Sequence, residues 1–473
     1  MKILSLIAFL GVSGVTTILA GPPALPFPGT LQTMHSRDIE DSRWSIGGET
    51  LDRDYADFEA YREFLGRSGA TRVRLQAGWA KTERVRGEYD FAWLDAIVDG
   101  AVAEGVRPWL QISYGNPLYE GGGQPVLGGG IPTSEEALAA WDAWVEATVR
   151  RYRDRVTEWE IWNEADLSGD IGPADFAAFH ARTSAVIRRA QPEARIVALS
   201  IAYIDRTEYV TALLDLFREQ DRLDEFEILS YHGYTSRPER AYPFVSRLRE
   251  VVDAYRPGIE LWQGEQGAPS TPRGTTIGAL SREDWSETTQ AKWNLRRMLG
   301  DAGHDVAVIN IFTLSDLRYA KEGDHMIGLN TKGLLITRAD HSVVRPKLSF
   351  GAFQRVATLF RGDLERVREA GFRGGHEDLW TFAFIREDVP GAAVVLWFGE
   401  AKPTDDYAFR PVDLAISGIH LDDPVYVDLL TGDVREVSAD HVSVDGDTVL
   451  LRGVPVADYP VVLVNRAWLD LCP

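Results

Sequence analysis

The chain contains 473 residues, of which 45% are hydrophobic and 10% are aromatic. This composition is typical of a folded protein and excludes an extended disordered chain, and the length allows a barrel of about 250–350 residues with a smaller domain. The formal net charge of −21 predicts that the protein does not bind nucleic acid. It also disfavours heavily anionic polysaccharides, because like charges repel. The single cysteine excludes an intramolecular disulfide.

The first twenty residues have the pattern of an export signal. Lys2 is followed by an apolar run from Ile3 to Ala20 and then by Gly21-Pro22-Pro23. We interpret residues 1–20 as a signal peptide, and we expect a secreted or periplasmic protein that is not stably inserted in a membrane after cleavage. Because the apolar run is nearly long enough to span a bilayer, an uncleaved N-terminal anchor is the alternative.

Residues 36–361 alternate short apolar strands with amphipathic helices. The strands are expected at Trp44–Gly48, Thr71–Gln76, Arg107–Ser113, Thr157–Glu164, Arg195–Ile201, Glu225–Ser230, Ile259–Glu265 and Val306–Phe312. The helices are expected at Asp57–Gly69, Asp90–Glu104, Ser134–Tyr152, Pro173–Ala190, Thr207–Glu219, Tyr242–Tyr255, Thr288–Ala302 and Lys347–Leu359. Eight successive strand–helix units are the pattern of a (β/α)8 TIM barrel, an α/β fold.

Residues 362–473 have a different pattern. Short strand-like runs occur among others at Trp380–Ile385, Ala392–Phe398, Val425–Leu430 and Val461–Asn465. Turns that contain glycine and aspartate, such as Thr431-Gly432-Asp433, separate them. This spacing predicts a small C-terminal antiparallel β-sandwich domain.

A glycine-rich loop, residues 115–132, follows the third predicted strand and contains two triple-glycine tracts. In a barrel this loop lies at the face where active sites are built. It is either a flexible surface insertion or a loop that covers the substrate.

Two glutamates stand at the ends of predicted barrel strands. Glu164, beside Asn163, ends the fourth strand, and Glu265 ends the seventh. Because the carboxyl ends of barrel strands meet at one face, we expect the two carboxyl groups to share a cleft. Glycoside hydrolysis needs one acid to protonate the leaving oxygen and a second carboxylate that attacks the sugar or activates water. We therefore predict Glu164 as the acid/base and Glu265 as the nucleophile, with Asn163 bonded to the sugar 2-hydroxyl.

Several other polar and aromatic residues are weaker candidates. Four residues that follow strand ends are candidates for lining the sugar site, with a structural role equally open for each: Trp79, Tyr114, Asn116 and Asp316. Glu158 and Glu160 are expected to be structural, and Glu160 is expected to point outward to the helices. The nine histidines are scattered, and no zinc spacing, phosphate loop or dinucleotide fingerprint is present, so we expect neither a metal nor a cofactor.

The strand-end motifs resemble those of a known group of enzymes. Ile161-Trp162-Asn163-Glu164 and Gln263-Gly264-Glu265 are similar to the acid/base and nucleophile strands of the retaining glycoside hydrolases of clan A. The runs Gly87–Asp95 and Phe312–Asp316 are most like those of family 39. The resemblance implies a TIM barrel with a C-terminal β-sandwich and a carbohydrate substrate.

The resemblance also gives roles to three polar neighbours. Arg74, on the second strand, matches an arginine that commonly bonds near the nucleophile, where a cation would lower the pKa of Glu265. His232 and Tyr234 match a polar ending of the sixth strand: the histidine is expected to bond either carboxylate, and the tyrosine to pack or to bond the nucleophile. One departure is Gln266-Gly267-Ala268, where family 39 xylosidases commonly have Trp-Asn, and we expect this change to lie in the substrate cleft.

These observations predict an exported retaining glycoside hydrolase of β-xylosidase-like type that cleaves O-glycosidic bonds with two glutamates. The alternative is a barrel protein of the envelope that binds glycans without cleaving them. The sequence leaves open the sugar and its linkage, the anomeric configuration, exo or endo cleavage, and the oligomeric state.

Overall fold

The computed structural model describes residues 25–26, 29–167, 169–319, 327–445 and 448–469. The predicted signal peptide, residues 1–20, lies outside these ranges. Among the described residues, none of the helices combines the length and the apolar character that a membrane span requires.

Eight parallel strands close into a barrel, which confirms the predicted fold class. Their bounds are Trp44–Gly47, Arg72–Gln76, Arg107–Ile112, Glu158–Ile161, Arg195–Ile201, Ile228–Tyr231, Glu260–Gln263 and Val308–Ile311. Each strand pairs with the next, and the first pairs with the eighth, with Ile46 opposite Ile311. We refer to them as barrel strands one to eight. The carboxyl ends of all eight therefore meet at one face.

The main helices lie around this barrel, close to their predicted positions. Their bounds are Phe58–Arg67, Ala92–Ala103, Glu135–Tyr152, Pro173–Ala190, Thr207–Glu219, Tyr242–Tyr255, Glu287–Gly303 and Leu348–Leu359, and a one-turn helix spans Trp79–Thr82. Local side chains explain where some of them begin. Ser134 accepts a hydrogen bond from the Ala137 amide, and Ser286 forms a reciprocal capping box with Thr289.

A small apolar cluster fills the interior of the barrel below the face where the strands end. It consists of Trp109, Val197, Ile228, Trp262 and Val308, with the two indole rings packed edge to face at 5.2 Å. The guanidinium of Arg74 lies 5.6 Å from the Trp109 ring. The interior therefore changes from apolar to polar at this level, and the polar residues above it form the floor of the candidate site.

Two short β-hairpins follow barrel strand eight, and the sequence patterns did not predict them. They pair Leu317–Tyr319 with Gly328–Asn330 and Leu335–Thr337 with Val343–Pro346. Strands of three or four residues are too short to show a clear alternation of apolar and polar residues. The segment between the hairpins, which includes Lys332, is thereby held against the mouth of the barrel.

Two antiparallel sheets form the remaining domain, as predicted for a β-sandwich. The larger sheet contains Gly29–Thr30, Leu364–Arg366, Leu379–Arg386, Val389–Phe398, Pro424–Asp428, Asp433–Glu436 and Val461–Asn465. The smaller sheet contains Gly371–Gly374, Arg410–Ser417, Val442–Asp445 and Thr448–Val456. The pairing of Gly29–Thr30 with Asp433–Glu436 brings chain from before the barrel into this sheet, which the sequence did not predict. The proposed domain limits, 36–361 and 362–473, stay a prediction.

A buried ion pair joins the barrel to the sandwich. Glu239 receives hydrogen bonds from the guanidinium of Arg296, on helix Glu287–Gly303, and from the indole of Trp397, on the larger sheet, at 2.7 Å to the same oxygen. Arg296 also donates to the Ala401 carbonyl at 2.9 Å. Both charged side chains are completely buried. This contact fixes the larger sheet to the outside of the barrel.

Candidate active site

Glu164 and Glu265 lie together in a cleft at the carboxyl-terminal face of the barrel. The cleft has a volume of about 750 Å³, and its lining includes both glutamates together with Tyr203, Tyr234 and Phe312. One oxygen of Glu164, one oxygen of Glu265 and a ring nitrogen of His232 lie within 4.8 Å of one another. The two predicted carboxyl groups therefore lie close to each other in one cleft.

Glu265 is held by two hydrogen-bond donors, and His232 Nδ1 lies 4.0 Å from its Oε2 atom. Arg74 Nη1 donates to Glu265 Oε2 at 2.9 Å, and the Tyr234 hydroxyl donates to Oε1 at 3.0 Å. Burial raises the pKa of Glu265, but the charges of His232 and Arg74 and the bond from Tyr234 outweigh it and hold the pKa below its usual range. Glu265 is therefore ionised at neutral pH, as a nucleophile must be.

Glu164 has a different environment, although it lies in the same cleft. Burial raises its pKa above the usual value, His232 opposes that rise, and the negative charge of Glu265 adds to it. His232 Nδ1 lies 2.6 Å from Glu164 Oε1. The strand ends at Ile161, and the backbone at Glu164 has a φ of 51°. The Glu164 side chain therefore no longer follows the alternation of the strand. A glutamate with a raised pKa is suited to donate a proton.

Arg74 organises the floor of the site. Its Nε and Nη2 atoms donate to both oxygens of Glu160 at 2.8 and 2.7 Å, and Nη2 also donates to Asn163 Oδ1 at 2.8 Å. Its Nη1 atom donates to Glu265 and, at 3.2 Å, to Glu49. Glu160 is completely buried in the barrel interior, which corrects the expectation that it points outward to the helices. A bidentate pair of this kind fixes the orientation of the guanidinium, which in turn holds the carboxylate of Glu265.

Asn163 and Tyr114 form a second layer beside the glutamates. Asn163 Oδ1 accepts hydrogen bonds from Arg74 and from Gln111, and its Nδ2 atom donates to the Tyr114 hydroxyl at 3.0 Å. Asn163 is itself buried and is not among the residues that line the cleft. Tyr114 itself is buried, so it supports Asn163 at the edge of the site.

Three further predicted site residues also lie outside the residues that line the cleft. Trp79 is completely buried, stacks on Tyr119 at 5.6 Å and donates to Glu83, so its ring has no face for a sugar. Asn116 is buried and donates to the Glu83 carbonyl at 2.9 Å. Asp316 is buried in an ion pair with Lys347 at 2.7 Å. For these three residues the structure supports the structural role that the sequence left open.

The departure Gln266-Gly267-Ala268, after Glu265, also lies in a different place from the one expected. The side chain of Gln266 is buried and donates to Asp301 at 3.4 Å, and none of Gln266, Gly267 and Ala268 is among the residues that line the cleft. Gln266 and Ala268 contact helix Glu287–Gly303 instead, through Asp301 and through Gln290 and Trp293. The absence of Trp-Asn therefore does not by itself alter the wall of the substrate site.

The cleft contains functional candidates that the sequence patterns missed. Asn330 and Tyr319, from the first unpredicted hairpin, and Lys332, from the segment between the two hairpins, line it. Leu127 is the one residue of the glycine-rich loop that reaches it. The rest of that loop is held together by hydrogen bonds between its own backbone groups, such as the bond from Asn116 N to Gly122 O at 2.9 Å. A lysine in a short Asn-Thr-Lys-Gly turn carries no sequence signal that separates it from surface lysines.

Glu164, His232 and Glu265 are also close enough to act together as ligands of one cation. In the described part of the chain Glu164 is already hydrogen-bonded to His232, and Glu265 to Arg74 and Tyr234. The guanidinium beside Glu265 makes the site a poor one for a divalent cation, since like charges repel. The expectation that no metal is needed stays a prediction.

Comparison with known proteins supports the resemblance. No protein-family model matches the chain. A family 39 glycoside hydrolase from Bacteroides cellulosilyticus WH2 superposes with a TM-score of 0.64 at 18% identity, over 92% of this chain and 83% of that one. A family 39 β-xylosidase from Caulobacter crescentus superposes with a TM-score of 0.59 at 17% identity, over 93% of this chain and 98% of that one.

A curated relative matches a shorter part of the chain. The β-xylosidase of Geobacillus stearothermophilus is 24% identical over 174 residues, which is 34% of this chain and 34% of that protein. The matched segment thus spans about a third of the relative's length. Together these findings confirm that the protein has the fold of the family 39 glycoside hydrolases, with a TIM barrel followed by a β-sandwich.

Proposed function

We propose that the protein is a retaining glycoside hydrolase with Glu164 as acid/base and Glu265 as nucleophile. The observation that carries this proposal is the opposite direction of two pKa shifts in one cleft. The pKa of Glu164 is raised and the pKa of Glu265 is lowered, while the nearest oxygens of the two carboxyl groups lie within 4.8 Å of each other. Retaining enzymes place the two carboxyl groups about 5–5.5 Å apart, whereas inverting enzymes leave about 6.5–9.5 Å for a water molecule.

In the first step Glu265 attacks the anomeric carbon of the sugar. The bond from that carbon to the leaving oxygen breaks as Glu164 transfers its proton to the oxygen. Asn163, held by Arg74 and Gln111, offers its free amide hydrogen to the sugar 2-hydroxyl, a contact that strengthens as the transition state forms. Tyr234 and Arg74 keep the attacking oxygens in place until the covalent bond has formed.

In the second step water releases the sugar. When Glu265 has become an ester, its negative charge no longer raises the pKa of Glu164. Glu164, now ionised, accepts a proton from water, and the water oxygen attacks the anomeric carbon while the bond to Glu265 breaks. His232, 2.6 Å from Glu164, stabilises that ionised form. The two inversions give net retention of configuration.

The substrate and the location of the protein are parts of the same proposal. Two of the similar proteins described above are β-xylosidases, which supports an O-glycoside of a xylose-like sugar as a first substrate to test. The apolar run at residues 3–20 supports export. A glycan-binding barrel without catalysis is the weaker candidate, because binding alone gives no reason for two facing glutamates with opposed pKa shifts.

The test is the turnover of aryl glycosides by the full chain and by Glu265→Gln. This variant keeps the shape of the side chain and removes the nucleophile, so we expect activity to fall by roughly four orders of magnitude or more. Glu250→Gln, on the exposed face of helix Tyr242–Tyr255, is the matched control and should retain full activity. Equal turnover in the wild type and in Glu265→Gln would refute the proposed nucleophile.

A further inference from the structure

A third buried carboxyl group lies beside the guanidinium that holds Glu265. Glu49 follows barrel strand one, which ends at Gly47, and its side chain is 1% exposed. Arg74 Nη1 donates to Glu49 Oε1 at 3.2 Å and to Glu265 Oε2 at 2.9 Å. One nitrogen atom therefore binds both the proposed nucleophile and a carboxyl group that takes no part in the two chemical steps.

Two of the three carboxyl groups around Arg74 are bound by several donors. Glu160 accepts two hydrogen bonds from Arg74, at 2.8 and 2.7 Å, and one from the Ser200 hydroxyl. Glu265 accepts one from Arg74 and one from the Tyr234 hydroxyl at 3.0 Å. Hydrogen bonds of this kind favour the ionised form of a carboxyl group. These two groups therefore supply the negative charge that balances the guanidinium.

Glu49 has fewer and longer hydrogen bonds than the other two groups. Its Oε1 atom accepts the bond from Arg74 at 3.2 Å and one from Asn310 at 3.5 Å, and no hydrogen bond from the described part of the chain reaches its Oε2 atom. Burial raises the pKa of Glu49 to about 8, Arg74 opposes the rise and the negative charge of Glu265 adds to it. A third buried negative charge beside one guanidinium is costly. Of the three groups around Arg74, Glu49 is therefore the one that carries a proton at neutral pH.

Three tyrosines near Glu49 keep their protons in this pH range. Tyr61 lies on the helix after barrel strand one, Tyr234 follows barrel strand six and Tyr319 belongs to the first hairpin. Burial raises the pKa of each, to about 12 in Tyr319, and the charge of Glu49 adds to the rise. Arg74 stays charged at any ordinary pH. Glu49 can therefore change its charge in a pH range where these neighbours do not.

We propose that Glu49 is a positioning residue that stores a proton in the free enzyme and releases it to solvent when Glu265 becomes an ester. This inference rests on the proposed glycosidase function and extends it to a residue outside the lining of the cleft. Esterified Glu265 has no charge, so Arg74 Nη1 loses one carboxylate partner, and Glu49, already bound to the same atom, replaces it. When water regenerates Glu265, Glu49 takes a proton back from solvent.

The proton count is consistent over one turnover. Glu164 gives its proton to the leaving oxygen in the first step and regains one from water in the second. The proton of Glu49 leaves and returns through solvent. Because the charge of Glu265 raises the pKa of Glu49, the loss of that charge must lower it. A fall of about one pH unit releases roughly 0.5 proton per molecule at a pH midway between the two pKa values.

The stability of the free protein reports whether Glu49 stores a proton. Its pKa is raised to about 8 in the folded state, so its contribution to stability is complete below the ordinary glutamate value of about 4.3 and is lost as the pH rises through the folded value. Glu49→Gln keeps the shape of the protonated group and cannot ionise. From about pH 5 to about pH 8, the Tm of the wild type should fall by roughly 2–5 °C relative to that of Glu49→Gln. Glu49→Met, which is apolar and of similar length, is a second variant with the same expected difference.

Proton release during esterification reports whether Glu49 gives that proton up. The probe is the 2-deoxy-2-fluoro glycosyl fluoride of the sugar that the wild type turns over fastest, because fluorine at C2 slows the second step and leaves Glu265 esterified. Mass spectrometry counts the ester, and a pH indicator in weak buffer counts the protons. Fluoride carries no proton away near neutral pH, so Glu164 contributes in every variant. Glu49→Gln should release roughly 0.5 proton per ester less than the wild type, and Glu49→Asp should restore most of that difference.

Lys332 is the competing source of a proton. Burial lowers its pKa to about 7, and the charge of Glu265 opposes that fall, so esterification lowers the pKa of Lys332 as well. Lys332→Met removes this source. When Glu49→Gln is added to Lys332→Met, it should lower the release by the same amount as in the wild type.

The outcomes separate the inference from the proposed function. Equal proton release by the esterified wild type and the esterified Glu49→Gln would overturn the inference, and so would a difference in Tm that does not vary with pH. A wild type that turns over no glycoside and forms no ester on Glu265, although the difference in Tm varies with pH as expected, would instead overturn the proposed function.

Discussion

The Nδ1 atom of His232 lies 2.6 Å from Oε1 of Glu164, and the same atom lies 4.0 Å from Oε2 of Glu265. One imidazole thus stands between the two candidate catalytic groups, closer to the acid/base. Burial lowers the pKa of His232, but the two carboxylates raise it by more, so the net shift is upward. The charge of the imidazole is therefore coupled to the state of both glutamates through the catalytic cycle.

The pH dependence of kcat/KM should be bell-shaped. Activity requires Glu265 to be ionised, so it is lost as the pH falls through the lowered pKa of Glu265. It also requires Glu164 to be protonated, so it is lost as the pH rises through the raised pKa of Glu164. We expect the acidic limb below about pH 4.3 and the basic limb above it, on either side of the ordinary glutamate value. Initial rates on an aryl glycoside at low substrate concentration measure both limbs.

Removing the hydroxyl of Tyr234 should move only the acidic limb. Tyr234→Phe deletes the hydrogen bond to Glu265 Oε1 and keeps the ring, so the pKa of Glu265 should rise. A bond worth about 0.5–1.5 kcal/mol corresponds to a shift of roughly 0.4–1 pH unit toward higher pH. The pH profile of kcat/KM for this variant and for the wild type, measured side by side, provides the check. An acidic limb that stays in place would mean that the tyrosine does not support the ionised nucleophile.

The acid/base role of Glu164 predicts a dependence on the leaving group. Glu164→Ala should slow substrates with poor leaving groups by roughly 100- to 10,000-fold, because they need the proton, and should affect aryl leaving groups of low pKa much less in the first step. Added azide should restore turnover and give a glycosyl azide of retained configuration, because a small anion can attack without a general base. Uniform loss on all leaving groups, without rescue by azide, would contradict the assignment.

The contact between barrel and sandwich predicts a large stability effect far from the cleft. Glu239→Ala leaves the buried guanidinium of Arg296 without its carboxylate and removes the acceptor of the Trp397 indole. Breaking a buried pair in this way costs about 3–5 kcal/mol, which denaturant unfolding would detect. Glu250→Ala removes an exposed partner of Arg247 and should change the free energy of unfolding by less than about 1 kcal/mol. Similar values for the two variants would show that the junction contributes little.

Much of the architecture followed from sequence periodicity. The helices Pro173–Ala190, Thr207–Glu219 and Tyr242–Tyr255 lie where they were expected, because each has an apolar face of several turns. The two glutamates could be paired for a simple reason. Parallel strands of a barrel end at one face, so a strand-end position locates a side chain even when its distant partner is unknown.

The direction of Glu160 was harder to predict. The apolar residues of barrel strand four suggested an interior face, but Trp159 bonds to Gln191 at the end of a surrounding helix. In a barrel the outer face of a strand is covered by helices and is apolar, while the inner face near the site holds the Arg74 network. The φ angles of Trp162 and Glu164 are positive. The alternation of inward and outward side chains therefore ends with the strand at Ile161 and does not predict the direction of the residues that follow.

Lys332 shows why the rest of the site was missed. Its position depends on two hairpins of three- or four-residue strands and on the loop around Gly278, where a Cβ atom would come within 3.2 Å of the lysine ammonium. None of these features repeats often enough to give a periodic signal. Only the folded chain reveals that this lysine is buried in the cleft that holds Glu164 and Glu265.

The most direct test of the proposed mechanism is the anomeric configuration of the first product. The wild-type protein is incubated with an aryl glycoside that it turns over, and proton NMR follows the anomeric signals before mutarotation. Two inversions at one carbon should give a first-formed sugar with the same configuration as the substrate. A first product of inverted configuration would show that water attacks directly, and it would contradict the assignment of Glu265 as the nucleophile.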